Sequence, residues 1–236
     1  HYRVRAVDGV SGAEDANPVE HRGWTTGPQE VHFSDSVEGD LSGWWTMAGS
    51  ASDSGTEPWR PDGTASHGDR SWFCAAEPVV KDQVVGLAEI FEVVDSSTIL
   101  VFDQLFDLEP FWDGGRLEYS TDGGATWHDM LAGDGAGVPE NPGRFLRGGY
   151  NGIASPGTGH PFGGQRAWTG FNGVWTETTV DLGDFVGESV VFRWRLGCDR
   201  TEARVGWWVD DIELRTTTTC EPIALPPPRG GAGRSD

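Results

Sequence analysis

Apolar and polar residues alternate with a period of two in short runs along most of this chain, and clusters of Gly, Asp, Asn and Pro separate the runs. Side chains along a β-strand point to opposite faces in turn, so this pattern predicts half-buried strands joined by turns. Leu87 to Val94, Thr98 to Phe106, Gly115 to Ser120, Val174 to Val180, Ser189 to Leu196 and Trp207 to Leu214 read as strands. Regularly punctuated strands of this kind predict an all-β fold, an antiparallel β-sandwich of jelly-roll type with long glycine-rich loops. The domain spans residues 31–215. The stretch from Leu131 to Thr169 is rich in glycine and reads as an excursion of loops. Loops of that length tend to carry function.

One run breaks the rule that strands in a sandwich bury apolar side chains. Gly206-Trp207-Trp208-Val209-Asp210-Asp211-Ile212-Glu213-Leu214 sets two carboxylates among bulky apolar residues. By strand parity Asp210 shares a face with Trp208, Ile212 and Leu214, which would turn it inward. An unpaired buried carboxylate costs several kcal/mol unless it is neutralised or partnered. Calcium, which prefers oxygen ligands, is one such partner.

The ends read differently. His1 to Asp8 alternates as a single strand, and residues 1–20 form a terminal strand and linker. A lone strand cannot bury itself, so this one is expected to be the remnant of a domain cut from a larger protein or to complete a neighbouring sheet. Residues 222–236, with Pro226-Pro227-Pro228 and Gly230-Gly231, form a Pro/Gly-rich tail. A start at His1 with no signal peptide suggests a fragment or a processed product.

Composition narrows the class of function. Twelve Trp and 35 Gly stand beside a single lysine, Lys81, which favours aromatic-rich strands and glycine turns over helices. A formal charge of −20 repels nucleic acid and anionic membranes and favours cations. No apolar run approaches the roughly 20 residues that span a bilayer. Three cysteines, Cys74, Cys198 and Cys220, match no zinc or redox spacing. They allow one disulfide in an extracellular setting, with Cys74 to Cys198 the better pairing, because Cys220 lies far along its strand from Cys198.

Candidate chemistry is sparse. Neither His-Glu-x-x-His nor Gly-x-Ser-x-Gly occurs, and the six histidines are dispersed. Glu109, Asp113 and Glu118 lie close enough in sequence to pose the question of a glycosidase pair. Ser120-Thr121-Asp122-Gly123-Gly124-Ala125-Thr126-Trp127 fits the Asp-box pattern, whose mechanics are those of a hairpin turn. Trp44, Trp59, Trp112, Trp168 and Trp175, with Trp45, lie largely beside turns and are candidate stacking surfaces for sugars, although Trp equally fills sandwich cores.

A longer series is more specific. Glu109, Asp113 to Ser120, the Asp box, Tyr150 to Ile153, Phe162, Trp168 to Gly170, Val180 to Leu182, Phe185 to Gly187, Phe192 to Gly197 and Gly206 to Leu214 occur in one order. Phe33 to Trp44 and Ser66 to Trp72 precede them. The series resembles the jelly-roll domain found C-terminally in immune inhibitor A-like secreted metallopeptidases, which is related to MAM domains. At position 37 a valine stands where that family usually has an aromatic. The eight residues at the N-terminus resemble the last strand of a fibronectin type III domain.

The resemblance implies a non-catalytic, secreted module in which a structural calcium ion ties the first strand to the last. Carried over by position, Glu38, the Ser66 to Asp69 turn with His67 and Asp69, and Asp210 or Asp211 are the ligands, helped by backbone carbonyls near Asp40 and His67. The expected role is adhesion or self-assembly through protein neighbours, including identical subunits joined by strand addition. The alternative is a carbohydrate- or protein-binding accessory domain of a metallopeptidase or glycosidase, with polysaccharide as partner.

Overall fold

A computed structural model describes residues 29–49, 56–132 and 141–217. The expected terminal strand and linker (1–20) and the tail (222–236) lie outside the described residues. In chain order the strands are β1 (Gln29–Asp35), β2 (Trp44–Ala48), β3 (Arg60–Asp62), β4 (Ser71–Ala75), β5 (Lys81–Leu87), β6 (Phe91–Glu92), β7 (Thr98–Asp107) and β8 (Gly114–Ser120). They continue as β9 (His128–Asp129), β10 (Phe145–Arg147), β11 (Gly152–Ile153), β12 (Arg166–Ala167), β13 (Thr176–Asp181), β14 (Ser189–Cys198) and β15 (Gly206–Thr217).

Two antiparallel sheets stack as a jelly-roll sandwich. One runs β10-β13-β7-β15-β4-β3, with β1 also on β15; the other runs β2-β5-β14-β8-β9, with β6 also on β14. The core lies between them and follows the alternation read from sequence. Leu100, Phe102 and Phe106 of β7 and Trp207, Val209, Ile212 and Leu214 of β15 face Phe192, Trp194 and Leu196 of β14 and Leu117 and Tyr119 of β8. The expected strand over Leu87 to Val94 is split. Strand β5 ends at Leu87 and β6 covers only Phe91–Glu92, with Ile90 turned outward and 57% exposed between them.

Parity fails once, and the failure is informative. Asp210 is paired with Asp103 and Glu213 with Val101, so Asp211 and Ile212 together oppose the single residue Phe102. This is a β-bulge, and Asp211 takes the left-handed conformation with φ 49° that it requires. The extra residue reverses the faces. Trp207 and Val209 before the bulge and Ile212 and Leu214 after it all join the core, while Asp210 lies with Trp208 on the outer face. The inward Asp210 expected from simple alternation is thereby corrected. It is completely buried all the same, beneath the loop that precedes β4.

The glycine-rich excursion is likewise not bare. It carries β10, which joins the edge of the first sheet through β13, and the β11–β12 pair, between which Phe162 packs on the outer face of the second sheet. Gly114 and Gly197 sit opposite each other in the β8–β14 pair. A Cβ on Gly197 would fall 2.6 Å from the Phe162 ring, and one on Gly114 would fall 3.4 Å from it. The two missing side chains thus form a seat for Phe162. Guanidinium groups of Arg116 and Arg195 lie 4.9 and 5.5 Å from the ring centroid. Phe162→Ala should cost about 3–4 kcal/mol by leaving that seat empty. A urea titration that moved by less than about 1 kcal/mol would show that the excursion is held elsewhere.

Candidate functional site

The loop between β3 and β4 is fastened by carboxylates from both ends of the fold. Glu38, just after β1, accepts hydrogen bonds from the backbone amides of Asp69 and Arg70, each at 2.6 Å. Arg70 returns the contact through its guanidinium to the Glu38 carbonyl. From the last strand, Asp210 accepts the Ser66 amide at 2.8 Å, and Asp211 meets the His67 ring nitrogen Nδ1 at 2.6 Å. Glu38, Asp210 and Asp211 therefore all contact the loop that carries His67 and Asp69, but of these five only His67 and Asp211 have ligand atoms in one close cluster. Asp40 is engaged elsewhere. Its carboxylate caps the short turn Leu41–Gly43, taking the Ser42 amide at 3.0 Å and its hydroxyl at 2.8 Å. A helix-capping Asp spends its lone pairs locally.

The residue missed from sequence is Asp103. It lies in the apolar run of β7, directly opposite Asp210 in the register, and accepts the Ser66 hydroxyl at 2.5 Å. The signal that drew attention to Asp210, a carboxylate inside an apolar strand, marks Asp103 equally. Like charges directly opposite across an antiparallel pair destabilise it. Here Asp211 adds a third carboxylate. Ligand atoms of His67, Asp103 and Asp211 all lie within 4.8 Å of one another. Burial, with a smaller contribution from the neighbouring Asp211 charge and opposed by the hydrogen bonds of the Ser66 and Asp211 amides, pushes Asp210 up to about 6. Conversely, the hydrogen bond and charge of Asp211 raise His67, which is otherwise open to solvent. The Asp103 and Asp211 carboxylates against one exposed imidazole, with Asp210 buried beside them, leave an excess of negative charge on hard oxygen donors. That donor set fits a cation such as calcium, while the His67 ring nitrogen does not belong to it.

A second acidic group lies at the other end of β8. Glu109, Asp113 and Asp199 have ligand atoms within 4.8 Å of one another, and Asp113 and Asp199 are completely buried. Glu118 is not with them. It sits four residues along β8 from Gly114, and its two oxygens are taken by Arg193 and Arg195. The three acids considered as a glycosidase pair are thus separated. Thr201 and Thr158 hydroxyls and the Thr201 amide satisfy Asp199, whereas Asp113 receives only two long amide contacts, at 3.3 and 3.4 Å.

The tryptophans divide by face. Trp44, Trp59 and Trp168 are 8%, 2% and 1% exposed, and each indole N–H has a partner, on Asp35, the Gln83 carbonyl and the Gly148 carbonyl respectively. These three fill the core and are corrected from candidate binders to scaffold. Trp112 and Trp175 are half-buried. The ring pair that does face outward is Trp45 and Trp127, with centroids 5.9 Å apart at 57°. Trp45 follows the core residue Trp44, so strand alternation turns it to the outer face. There it lies flat over its register partner Gly86, where a Cβ would fall 2.3 Å from the ring, and its N–H donates to the Leu87 carbonyl at 3.1 Å. Trp127 closes the Asp-box hairpin, and the Arg193 guanidinium lies 4.2 Å from its ring centroid. Behind both runs an ion-pair chain Arg193–Glu118–Arg195–Asp82 that keeps the floor rigid. The rings border a shallow groove of about 300 Å³ completed by Met47, Leu87, Ile90 and Val191.

The expected disulfide partners Cys74 and Cys198 are both buried and both free thiols.

Fold and surface together define an antiparallel β-sandwich of jelly-roll type. No family model and no curated protein matches the chain. Among solved structures, it is similar to the K3 cleaved adhesin domain of Lys-gingipain from Porphyromonas gingivalis W83, at 15% identity and TM-score 0.45, covering 78% of this chain and 98% of that one. It is also similar to the carbohydrate-binding module TmCBM27, studied for mannan recognition, at 12% identity and TM-score 0.43, covering 81% and 100%. A third is TmCBM61, solved with β-1,4-galactotriose, at 10% identity and TM-score 0.42, covering 75% and 91%. No residue role is carried over from them.

Burial, reinforced by the Asp199 and Glu109 charges, pushes Asp113 up to about 7. A carboxyl whose folded pKa exceeds its unfolded value near 4 makes folding less favourable as pH rises between the two. The stability of Asp113→Asn relative to the parent should therefore rise by roughly 2–4 kcal/mol between pH 4 and pH 8. Parallel stability curves for the two chains would show that Asp113 is not the titrating group.

Proposed function

We propose that this domain is a non-catalytic recognition module of a secreted protein, calcium-stabilised at Asp103, Asp210 and Asp211, that holds neutral polysaccharide against Trp45 and Trp127. The carrying observation is the outward ring pair. Two indoles, each set on a rigid support, border an open groove on a sheet face. Apolar ring faces stack well on the C–H faces of a pyranose, and a groove rather than a closed pocket suits a polymer. A net charge of −20 disfavours uronate-rich or sulfated chains and leaves neutral ones as the matching class. The self-assembly reading rests on residues 1–20, outside the described residues, whereas the groove is built wholly from described ones. Calcium in this reading is scaffold. It offsets the opposed Asp103 and Asp210 charges and fixes the loop that joins the two ends of the domain.

Affinity electrophoresis in neutral mannan, xylan and galactan should show retardation by at least one polymer. Trp45→Ala and Trp127→Ala should each weaken it about tenfold or more while the chain still unfolds in one cooperative transition above the assay temperature. Absence of retardation by every neutral polysaccharide would sink the ligand assignment. The metal is tested separately by melting. Millimolar calcium should raise the transition by about 5–10 °C over EDTA, as mass action requires for a ligand held about a hundredfold above its Kd. Asp103→Asn should abolish that difference. Identical transitions in calcium and EDTA for the parent chain would remove the metal while leaving the groove untouched.

A further inference from the structure

The chain's single lysine is completely buried, and two buried thiols lie beside it. Lys81 opens β5 and is the direct register partner of Cys198, the last residue of β14. Directly opposed residues of an antiparallel pair point to the same face, about 5 Å apart. Cys74 comes from the other sheet, on β4 opposite Trp207. The link between these positions is short. Chain leaving Cys198 crosses from one sheet to the other through residues 199–205 and enters β15 at Gly206, beside Cys74. Both cysteines therefore stand at the same end of the sandwich, flanking one crossover, and both belong to the inter-sheet core.

Their sulfurs are fastened to the same short turn. The Lys81 ammonium bonds the Glu77 carboxylate, at 2.5 Å, and lies beside the Cys74 thiol, while the Glu77 backbone lies beside the Cys198 thiol. One five-residue turn, 77–81, thus brings together a thiol from each sheet.

We propose that Cys74 and Cys198, unbonded thiols in this structure, close an inter-sheet disulfide during oxidative folding, which staples the two sheets at the end bearing the Glu109–Asp113–Asp199 group. The oxidant is a small-molecule disulfide. One cysteine thiolate attacks it, releasing one small thiol and leaving a mixed disulfide; the second cysteine thiolate then displaces the other small thiol. Two cysteine protons and two electrons pass to the oxidant, which leaves as two thiols. Timing follows from burial. Burial pushes the Cys74 thiol up to about 12 and Cys198 well above its usual range. Thiolate is therefore scarce once the core has closed, and exchange belongs to the open chain. Closure then shields the finished bond from reductant. Lys81 and Glu77 serve as positioning residues that hold the two sulfurs at one turn. The loop closed by such a bond is long, which makes its effect on the unfolded chain large.

Reduced, unfolded full-length chain should be refolded in reduced and oxidised glutathione, alkylated after denaturation and mapped by peptide mass spectrometry. The expected result is a Cys74–Cys198 linked peptide with alkyl on Cys220, and a melting temperature about 5–15 °C above that of chain refolded under reductant. A chain carrying Cys220→Ser should give the same linkage. Native oxidised protein should also keep the bond in millimolar dithiothreitol until it is unfolded. Alkyl groups on both Cys74 and Cys198 would overturn the proposal, as would linkage of either to Cys220 or a cross-link from a cysteine to Lys81.

Discussion

Two carboxylates facing each other across neighbouring strands, Asp103 and Asp210, set the condition that the rest of the fold answers. Both lie on the outer face of the larger sheet beneath the β3–β4 loop, Asp210 buried and Asp103 half-buried, where mutual repulsion and lost hydration act together. Around them the molecule supplies what donors it has. The Ser66 amide and hydroxyl come down from the β3–β4 loop, and the backbone bulge at Asp211 turns a third carboxylate toward His67. Glu38 pins the far half of the same loop from the first strand. Chain segments far apart in sequence thereby depend on one electrostatic arrangement, which a bound cation would complete.

The bulge does two jobs with one residue. It re-aims the sequence after Asp210 so that Ile212 and Leu214 return to the core, and it frees Asp210 and Asp211 to serve the outer face. Without it, the apolar residues on one side of the aspartates would point into solvent. Bulges carry this use wherever a strand must both fill a core and present a polar group.

The second sheet solves a different problem, which is how to keep an outer face ordered. At one end Phe162 sits on paired glycines and covers Arg116 and Arg195. At the other, Trp45 rests on Gly86 and Trp127 lies against Arg193. Glycines let aromatic rings approach the sheet backbone, and arginines tie those rings to the carboxylates Glu118 and Asp82. Among the described residues the Trp45–Trp127 end of this face borders an open groove, and this is the surface proposed to bind.

The approach of Glu38 and Asp210 to the turn at His67 was implied only by the family resemblance. Local pattern was enough to read the all-β class, the central strands β7, β14 and β15 and the hairpin built on Asp122. These follow from period-two alternation, turn chemistry and the scarcity of charge inside apolar runs, all of which neighbouring residues express. Three things were not local. A one-residue bulge changes parity without any mark in composition, so the face of Asp210 was decided only by its pairing with β7. Which tryptophans were core depended on the stacking of two sheets: Trp44, Trp59 and Trp168 proved structural, and Trp45 and Trp127 proved half-buried on an outer face. Asp103 became significant only through its register with Asp210. Sequence determined which side chains wanted burial or charge compensation, and tertiary structure decided which of them met, because opposition across strands and sheets is set by register and packing rather than by order along the chain.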